Sequence, residues 1–302
     1  MAVVDVEHLA YSYGRVEALR DVTFSIPQGA LYALLGPNGS GKTTLLQVLL
    51  GLRRPSKGRV SVLGVDSASL GIRDREHIGY IAEGQSLPGW MRLDQLEAYL
   101  APLYPSWDRA LAKELRGRFS LDPTRTVKTL SRGEAMKTAL LCALAPRPKL
   151  LVMDEPFTGM DALVKDELVR GLLESAGSEG WTVLLCSHDI GELELLADWV
   201  GFLAAGRMIV SETMDDFKEH YRRVEVVGDA PAFASPQNDW LGLEQIGHRL
   251  SFILPGATPD AEAQLVRRFP SARVDVRDAT LREIFVALAK EAAAKRRMET
   301  AA

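Results

Sequence analysis

The sequence predicts an α/β chain: a parallel sheet with helices on its faces, fronted by antiparallel strands and followed by a small α+β appendage. Three observations predict it. Short, mostly apolar runs at Leu31–Leu35, Leu150–Met153 and Thr182–Cys186 read as strands buried on both faces. Helical periodicity separates them. A glycine-rich loop, Gly36–Thr44, joins the first of these runs to Leu45, Leu46, Val48 and Leu49 on helical spacing.

The elements follow in order. Val3–Leu9, Val22–Ile26 and Leu31–Leu35 are β-like, with Pro27-Gln28-Gly29 as a turn between the last two. From about Glu83 to Pro146 the chain is mostly helical: Leu93, Leu96, Tyr99 and Leu100 share one face, as do Leu111, Leu115 and Phe119. Strand–helix alternation then returns with Leu150–Met153, a helix over Asp161–Leu173, Thr182–Cys186, and a last pair at Val200–Leu203 and Met208–Val210. Beyond Tyr221, strands at Arg222–Val227, Arg249–Leu254 and Ala272–Val276 mix with helices at Ala261–Phe269 and Leu281–Lys290, around a loop at Gly228–Gln237. The division is 1–220 for the main domain, with its helical insert at about 83–146, and 221–302 for an accessory α+β domain with a helical tail.

Composition removes several function classes. The 302 residues are 47% hydrophobic and 25% charged, with a formal net charge of -4. No basic excess or stripe marks a nucleic-acid binder, so no nucleic acid is expected as a partner. Cys142 and Cys186 both lie in apolar runs, which fits a reducing compartment and two small buried hydrophobes. The opening residues lack the charged-then-apolar pattern of a signal peptide. No apolar run approaches the ~20 residues that span a bilayer.

The chemistry concentrates in two contiguous motifs. Gly36-Pro37-Asn38-Gly39-Ser40-Gly41-Lys42-Thr43 matches G-x-x-x-x-G-K-[ST] at every defined position, with Thr44 following. Phosphate oxygens need many backbone N–H groups at close range, and side chains at Gly36, Gly39 and Gly41 would obstruct that approach. The following helix adds the positive end of its dipole. Lys42 supplies a point charge for the β- and γ-phosphates, and the Thr43 hydroxyl suits Mg²⁺. The second motif is Lys149-Leu-Leu-Val-Met-Asp154-Glu155. A buried strand ending in an acid puts Asp154 at the carboxyl edge of the sheet as a Mg²⁺ ligand through water, and Glu155 beside it suits a general base for the attacking water. An acidic pair capping the next helix is the alternative, but it leaves the preceding strand unexplained.

Leu130-Ser131-Arg132-Gly133-Glu134 resembles the LSGGQ signature of ABC ATPases, standing about twenty residues before Asp154 as in that family. Ser131 and Glu134 also form a capping-box pattern, and both readings hold together. The family's order continues: Tyr13 stands at the adenine-stacking aromatic, His188 at the switch histidine, and Phe157-Thr-Gly-Met-Asp161 resembles the dimer-contacting D-loop, with Asp161 as its acid. The Q-loop glutamine position holds Glu83, a candidate Mg²⁺ contact, with Gln85 two residues on as the alternative. The signature carries Arg132 for a glycine and Glu134 for a glutamine.

The resemblance covers Val3 to about Phe217 and implies a P-loop NTPase fold with a RecA-like core. It implies ATP and Mg²⁺ as cofactors, and a second ATPase subunit, identical or not, contributing Ser131, Gly133 and Glu134 to the γ-phosphate. It also implies a separate transmembrane permease and a cytoplasmic place on the inner face of the membrane. The departures resemble bacterial exporter-type subunits of the antibiotic- and peptide-export group, as does Leu103-Tyr-Pro-Ser-Trp-Asp108. On this reading Trp90, Tyr104 and Trp107 line the permease groove or pack in the core. The rival is a soluble ABC ATPase, outside transport, with a regulatory C-terminal module.

Overall fold

The computed structural model describes residues 1–161, 164–171, 180–188, 190–194, 196–228, 240–256 and 259–301, without side chains at 192–193, 259–262 and 296–301. Parts of the expected Asp161–Leu173 helix and of the Gly228–Gln237 loop, with Pro231 and Pro236, lie outside the described residues.

The chain opens with β1 (Ala2–Tyr13) and β2 (Val16–Pro27), an antiparallel hairpin. Next come β3 (Leu31–Leu35), α1 (Lys42–Leu49), β4 (Lys57–Val62), β5 (Val65–Asp66), α2 (Ile72–Arg75) and β6 (Ile78–Ile81). The insert carries α3 (Leu93–Leu100), α4 (Arg109–Arg118) and α5 (Arg132–Leu144), and leads to β7 (Leu150–Asp154). Residues 164–171 are helical (α6). They precede β8 (Thr182–Ser187), α7 (Ile190–Leu193), β9 (Trp199–Ala204), β10 (Arg207–Thr213) and α8 (Met214–Glu219).

Among the described residues these strands form a four-stranded sheet, β2-β1-β4-β5, and a six-stranded sheet, β10-β9-β3-β8-β7-β6. The larger one is parallel from β9 to β6, and β10 closes its edge antiparallel. Its inner strands β3, β7, β8 and β9 are mostly apolar because both faces are covered, whereas the edge strand β10 carries Arg207, Ser211 and Glu212. Leu31, Ala33 and Leu35 face a core shared with α4 and α5, whereas Tyr32 and Leu34 face α1 and the smaller sheet. The same alternation runs along β7 and β8.

Register sets the working edge. Leu35 pairs with Ser187, and Asp154 pairs with Cys186. The next residue of each strand, Gly36, His188 and Glu155, therefore emerges at one carboxyl edge, where ligands bind in open α/β sheets.

The C-terminal elements are β11 (Tyr221–Val227), β12 (Leu241–Ile246), β13 (Arg249–Pro255), α9 (Pro259–Arg268), β14 (Arg273–Asp278) and α10 (Leu281–Ala301). Their sheet runs β12-β13-β11-β14, all antiparallel. One face packs its own core of Val224, Trp240, Phe252 and Phe269. The other face shares the main core: Ile253, Leu281, Ile284 and Leu288 belong to the cluster that contains Phe202 and Phe217. Phe285 meets Phe202 edge to face, with ring centroids 5.1 Å apart. This appendage is therefore packed against the main sheet rather than tethered beside it. The tail continues the helix to Ala301.

Candidate active site

The phosphate loop is built by close packing. A Cβ on Gly36 would stand 2.2 Å from the Leu203 carbonyl oxygen, and Gly41 has φ +110° with Ala18 O 2.8 Å from its absent Cβ. Only glycine fits either position without moving backbone. Lys42 begins α1 and is buried. Its Nζ donates to Gly36 O at 2.7 Å and lies 3.7 Å from Glu155 Oε1. The loop's own carbonyl thus holds this ammonium in readiness for an anion. Ser40 Oγ is buried and, among the described residues, has no hydrogen-bond partner.

Opposite stand the acids. Thr43 Oγ1 donates to Asp154 Oδ2 at 2.9 Å, while Asp154 Oδ1 is buried and has no hydrogen-bond partner among the described residues. Burial raises the Asp154 carboxyl above its ordinary range; the Thr43 hydrogen bond opposes this, and nearby Glu155 and Glu83 reinforce it. A buried carboxylate oxygen left open beside a hydroxyl, among further carboxylates, fits the oxygen-ligand chemistry of Mg²⁺. Glu155 adopts φ +48°, a left-handed conformation costing about 1–3 kcal/mol in a non-glycine residue. Its N–H donates to Cys186 O at 2.9 Å, and its Oε2 receives Thr158 Oγ1 at 3.3 Å. His188 Nδ1 lies 2.7 Å from the same Oε2, a hydrogen bond in which the ring donates to the carboxylate and which fixes the ring's orientation.

These groups share one cavity of about 560 Å³, lined by Asn38 to Thr44, Glu83, Asp154, Glu155, Thr158 and His188. Glu83 lines it. Gln85 turns away, accepting from the Ala82 N–H at 3.2 Å, and lines a separate groove. Ala205 and Gly206, in the β9–β10 turn, also line the cavity. Sequence reasoning missed them and Thr158. For Gly206 the available signal was a glycine between two strands, here with φ +78° against Ala18 O.

Five sequence-derived candidates, Tyr13, Ser131, Gly133, Glu134 and Asp161, lie outside that lining. Tyr13 is 41% exposed, outside the cavity lining, with its hydroxyl 3.3 Å from Thr44 Oγ1. Ser131 caps α5: its Oγ accepts from the Glu134 N–H at 3.3 Å, and Glu134 Oε2 accepts from the Ser131 N–H at 2.8 Å. Glu134 also takes a 2.5 Å hydrogen bond from Arg125, so its carboxylate is held locally. The cap's N–H bond, foremost, holds that carboxyl below its ordinary range. Gly133 is buried under Val164. Asp161 accepts from the Val164 N–H at 3.0 Å and caps α6. The Arg132 guanidinium rests on Gly159, whose Cβ would come within 2.3 Å of Nη1.

Comparison with known proteins matches this arrangement. A family model described as ABC transporter covers residues 19–158. The lantibiotic transport ATP-binding protein SrtF of Streptococcus pyogenes is 33% identical over 214 residues, 70% of this chain and 92% of the relative. The chain belongs to the ABC transporter ATP-binding family. The ABC transporter ATP-binding protein YtrB of Bacillus subtilis is 24% identical over 286 residues, spanning 94% of this ABC protein and 97% of the relative. A solved ATP-binding subunit of an ABC transporter superposes with a TM-score of 0.65 at 29% identity, over 72% of this chain and 92% of that one. This ABC subunit binds and hydrolyses ATP to drive a transporter. Proteins of this family use Mg²⁺ with the nucleotide and assemble with further subunits. Among the described residues, no helix is long and apolar enough to cross a membrane.

Proposed function

We propose that two copies of this chain enclose two ATP molecules head to tail and drive export through a separate permease, from the cytoplasmic face of the membrane. The observation that carries the reading is the separation of two half-sites. Lys42, Thr43, Asp154, Glu155 and His188 line one cavity, whereas Ser131 and Gly133 line no part of it. A second copy that brings Ser131 and Gly133 over the cavity completes the site.

The geometry around the cavity and the family resemblance support the following roles. The loop amides, Lys42 and Ser40 bind the triphosphate, and Tyr13 receives the adenine. Thr43 and Asp154, with Glu83 beside them, would hold Mg²⁺, which would supply charge neutralisation to the phosphates. Glu155 orients the attacking water and accepts its proton. His188 fixes Glu155 through Nδ1 and lines the cavity where the γ-phosphate would lie. Asp161 sits at the contact with the other copy. Hydrolysis removes the γ-phosphate that bridges the two copies, and the dimer reopens as a rigid-body movement.

The permease reads the other side of the insert. A groove of about 250 Å³ between β6 and the insert is lined by Tyr80, Leu96, Tyr99, Leu100, Tyr104 and Cys142, and suits a short apolar helix. Tyr104 lines it, but Trp90 stands 77% exposed outside the lining and Trp107 packs against the core. Transport is supported by the relative named for lantibiotic transport, and export by the exporter-type departures at Arg132, Glu134 and Leu103-Tyr-Pro-Ser-Trp-Asp108. The test is capture of Glu155→Gln protein from detergent-solubilised membranes with ATP and Mg²⁺. A stoichiometric multi-span membrane protein supports the reading. Recovery of the ATP-bound chain with only ribosomes, nucleic acid or itself sinks it.

A further inference from the structure

Beside the phosphate cavity, at the end of α1, Arg53 occupies a position that neither phosphate chemistry nor helix capping explains. Its guanidinium carbon lies 4.7 Å from the Tyr13 ring centroid and 5.7 Å from that of Tyr11. Nε donates to Gln47 Oε1 at 2.5 Å, and Nη1 donates to Tyr11 Oη at 3.0 Å. A basic residue just beyond a helix ordinarily turns its side chain onto the last carbonyls. Here the donors go to a side-chain amide and a phenol instead. Among the described residues, Arg53 has no acidic partner, so its charge is spent on aromatic faces and neutral acceptors.

Those same acceptors fix Tyr13. The Tyr13 hydroxyl reaches Thr44 Oγ1 at 3.3 Å and Gln47 Oε1 at 3.5 Å, and Tyr11 meets the Tyr13 ring edge to face at 5.0 Å. Gln47 Oε1 therefore joins the guanidinium and the phenol, and both contacts are anchored on α1, the helix that starts at Lys42. An otherwise exposed tyrosine has its rotamer set before any ligand arrives, which lowers the entropic cost of stacking on it.

We propose that Arg53 is a positioning residue for the nucleotide base: it holds Tyr13 by one ring face, with Tyr11 and Gln47 as its anchors, and presents the other face to a purine. This rests on Tyr13 as the adenine platform. A cation on one face also withdraws electron density from the ring, which favours stacking of a π-system on the opposite face.

The test measures ATP turnover in the full chain for Arg53→Ala, Arg53→Lys, Tyr13→Ala and the Arg53→Ala/Tyr13→Ala double variant, together with inhibition by inorganic tripolyphosphate, which has no base. Arg53→Ala raises KM for ATP about three- to tenfold with kcat within twofold of wild type. Arg53→Lys, which keeps the charge but loses the planar stack, falls between. Tripolyphosphate inhibition is unchanged throughout. The double variant is no worse than Tyr13→Ala alone. Three results overturn the proposal: an unchanged KM in Arg53→Ala, equal weakening of tripolyphosphate and ATP, or additive effects in the double variant. Tyr13→Ala with a wild-type KM overturns the platform reading itself, a failure distinct from that of Arg53. If Arg53→Ala does not fold, Arg53→Lys with and without Tyr13→Ala makes the same comparison.

Discussion

Gly36→Ala is the sharpest probe of how the phosphate loop is held. Gly36 leaves β3 directly over β9, and an added methyl carbon would stand 2.2 Å from Leu203 O and 2.7 Å from Ser40 Oγ. The Ser40 hydroxyl can rotate, but the Leu203 carbonyl cannot, because β9 is held between β3 and β10. The loop must retreat by about 1 Å to restore ordinary contact, and overpacking of this kind costs about 1–3 kcal/mol. A displacement of about 1 Å at a reacting centre costs on the order of a hundredfold in rate. Gly36→Ala is therefore expected to unfold a few degrees below wild type and to lose about two orders of magnitude in kcat/KM for ATP. Thermal unfolding and steady-state phosphate release check this together. Wild-type values for both would show that the loop does not depend on its contact with β9.

Other consequences follow from the same geometry. Asp154→Asn removes a carboxylate whose burial, foremost, raises its pKa; such an acid destabilises the nucleotide-free protein increasingly as pH rises from the ordinary carboxylate range up to its folded-state value, and by a constant amount above it. The variant should match or exceed wild-type stability at neutral pH, with the difference vanishing under acid, and should lose Mg²⁺-dependent stabilisation by ATP in a thermal-shift series. Ile284 is fully buried where α10 meets the main core, so Ile284→Ala should cost about 2–5 kcal/mol and lower the unfolding temperature of the whole chain. Unfolding of the C-terminal residues alone, seen by hydrogen exchange, would contradict the shared core. Gly159→Ala places a methyl group against the Arg132 guanidinium and strains a residue at φ +73°. Arg132→Gly should relieve the clash but not the strain of about 1–2 kcal/mol, so partial rescue of turnover in the double variant is expected.

The parallel strands were legible because burial on both faces leaves an apolar run with few competing interpretations, as at Leu31–Leu35. β4 and β12 were not. Lys57–Val62 offers only Val60 and Val62 to a core, and Leu241–Ile246 is mostly exposed at an edge. Each is a strand because a neighbour supplies its hydrogen bonds, which composition does not record. In the site, contiguous motifs carried most of the signal, since one strand end and one loop deliver Lys42, Thr43, Asp154 and Glu155. Thr158, Ala205 and Arg53 reach the nucleotide region only through tertiary packing. Glu83 and Gln85 could not be separated by spacing; the chain direction after β6 sends one side chain to the cavity and the other to the groove.

The most direct test of the central claim is the nucleotide retained by Glu155→Gln after incubation with ATP and Mg²⁺. Glu155 is the group that Lys42, Thr158 and His188 surround, and its replacement leaves the phosphate loop intact. The expected result is unhydrolysed ATP, two per dimer, where wild type retains ADP. Conversion to ADP at the wild-type rate would mean that another group activates water, and the assignment of the site would fall.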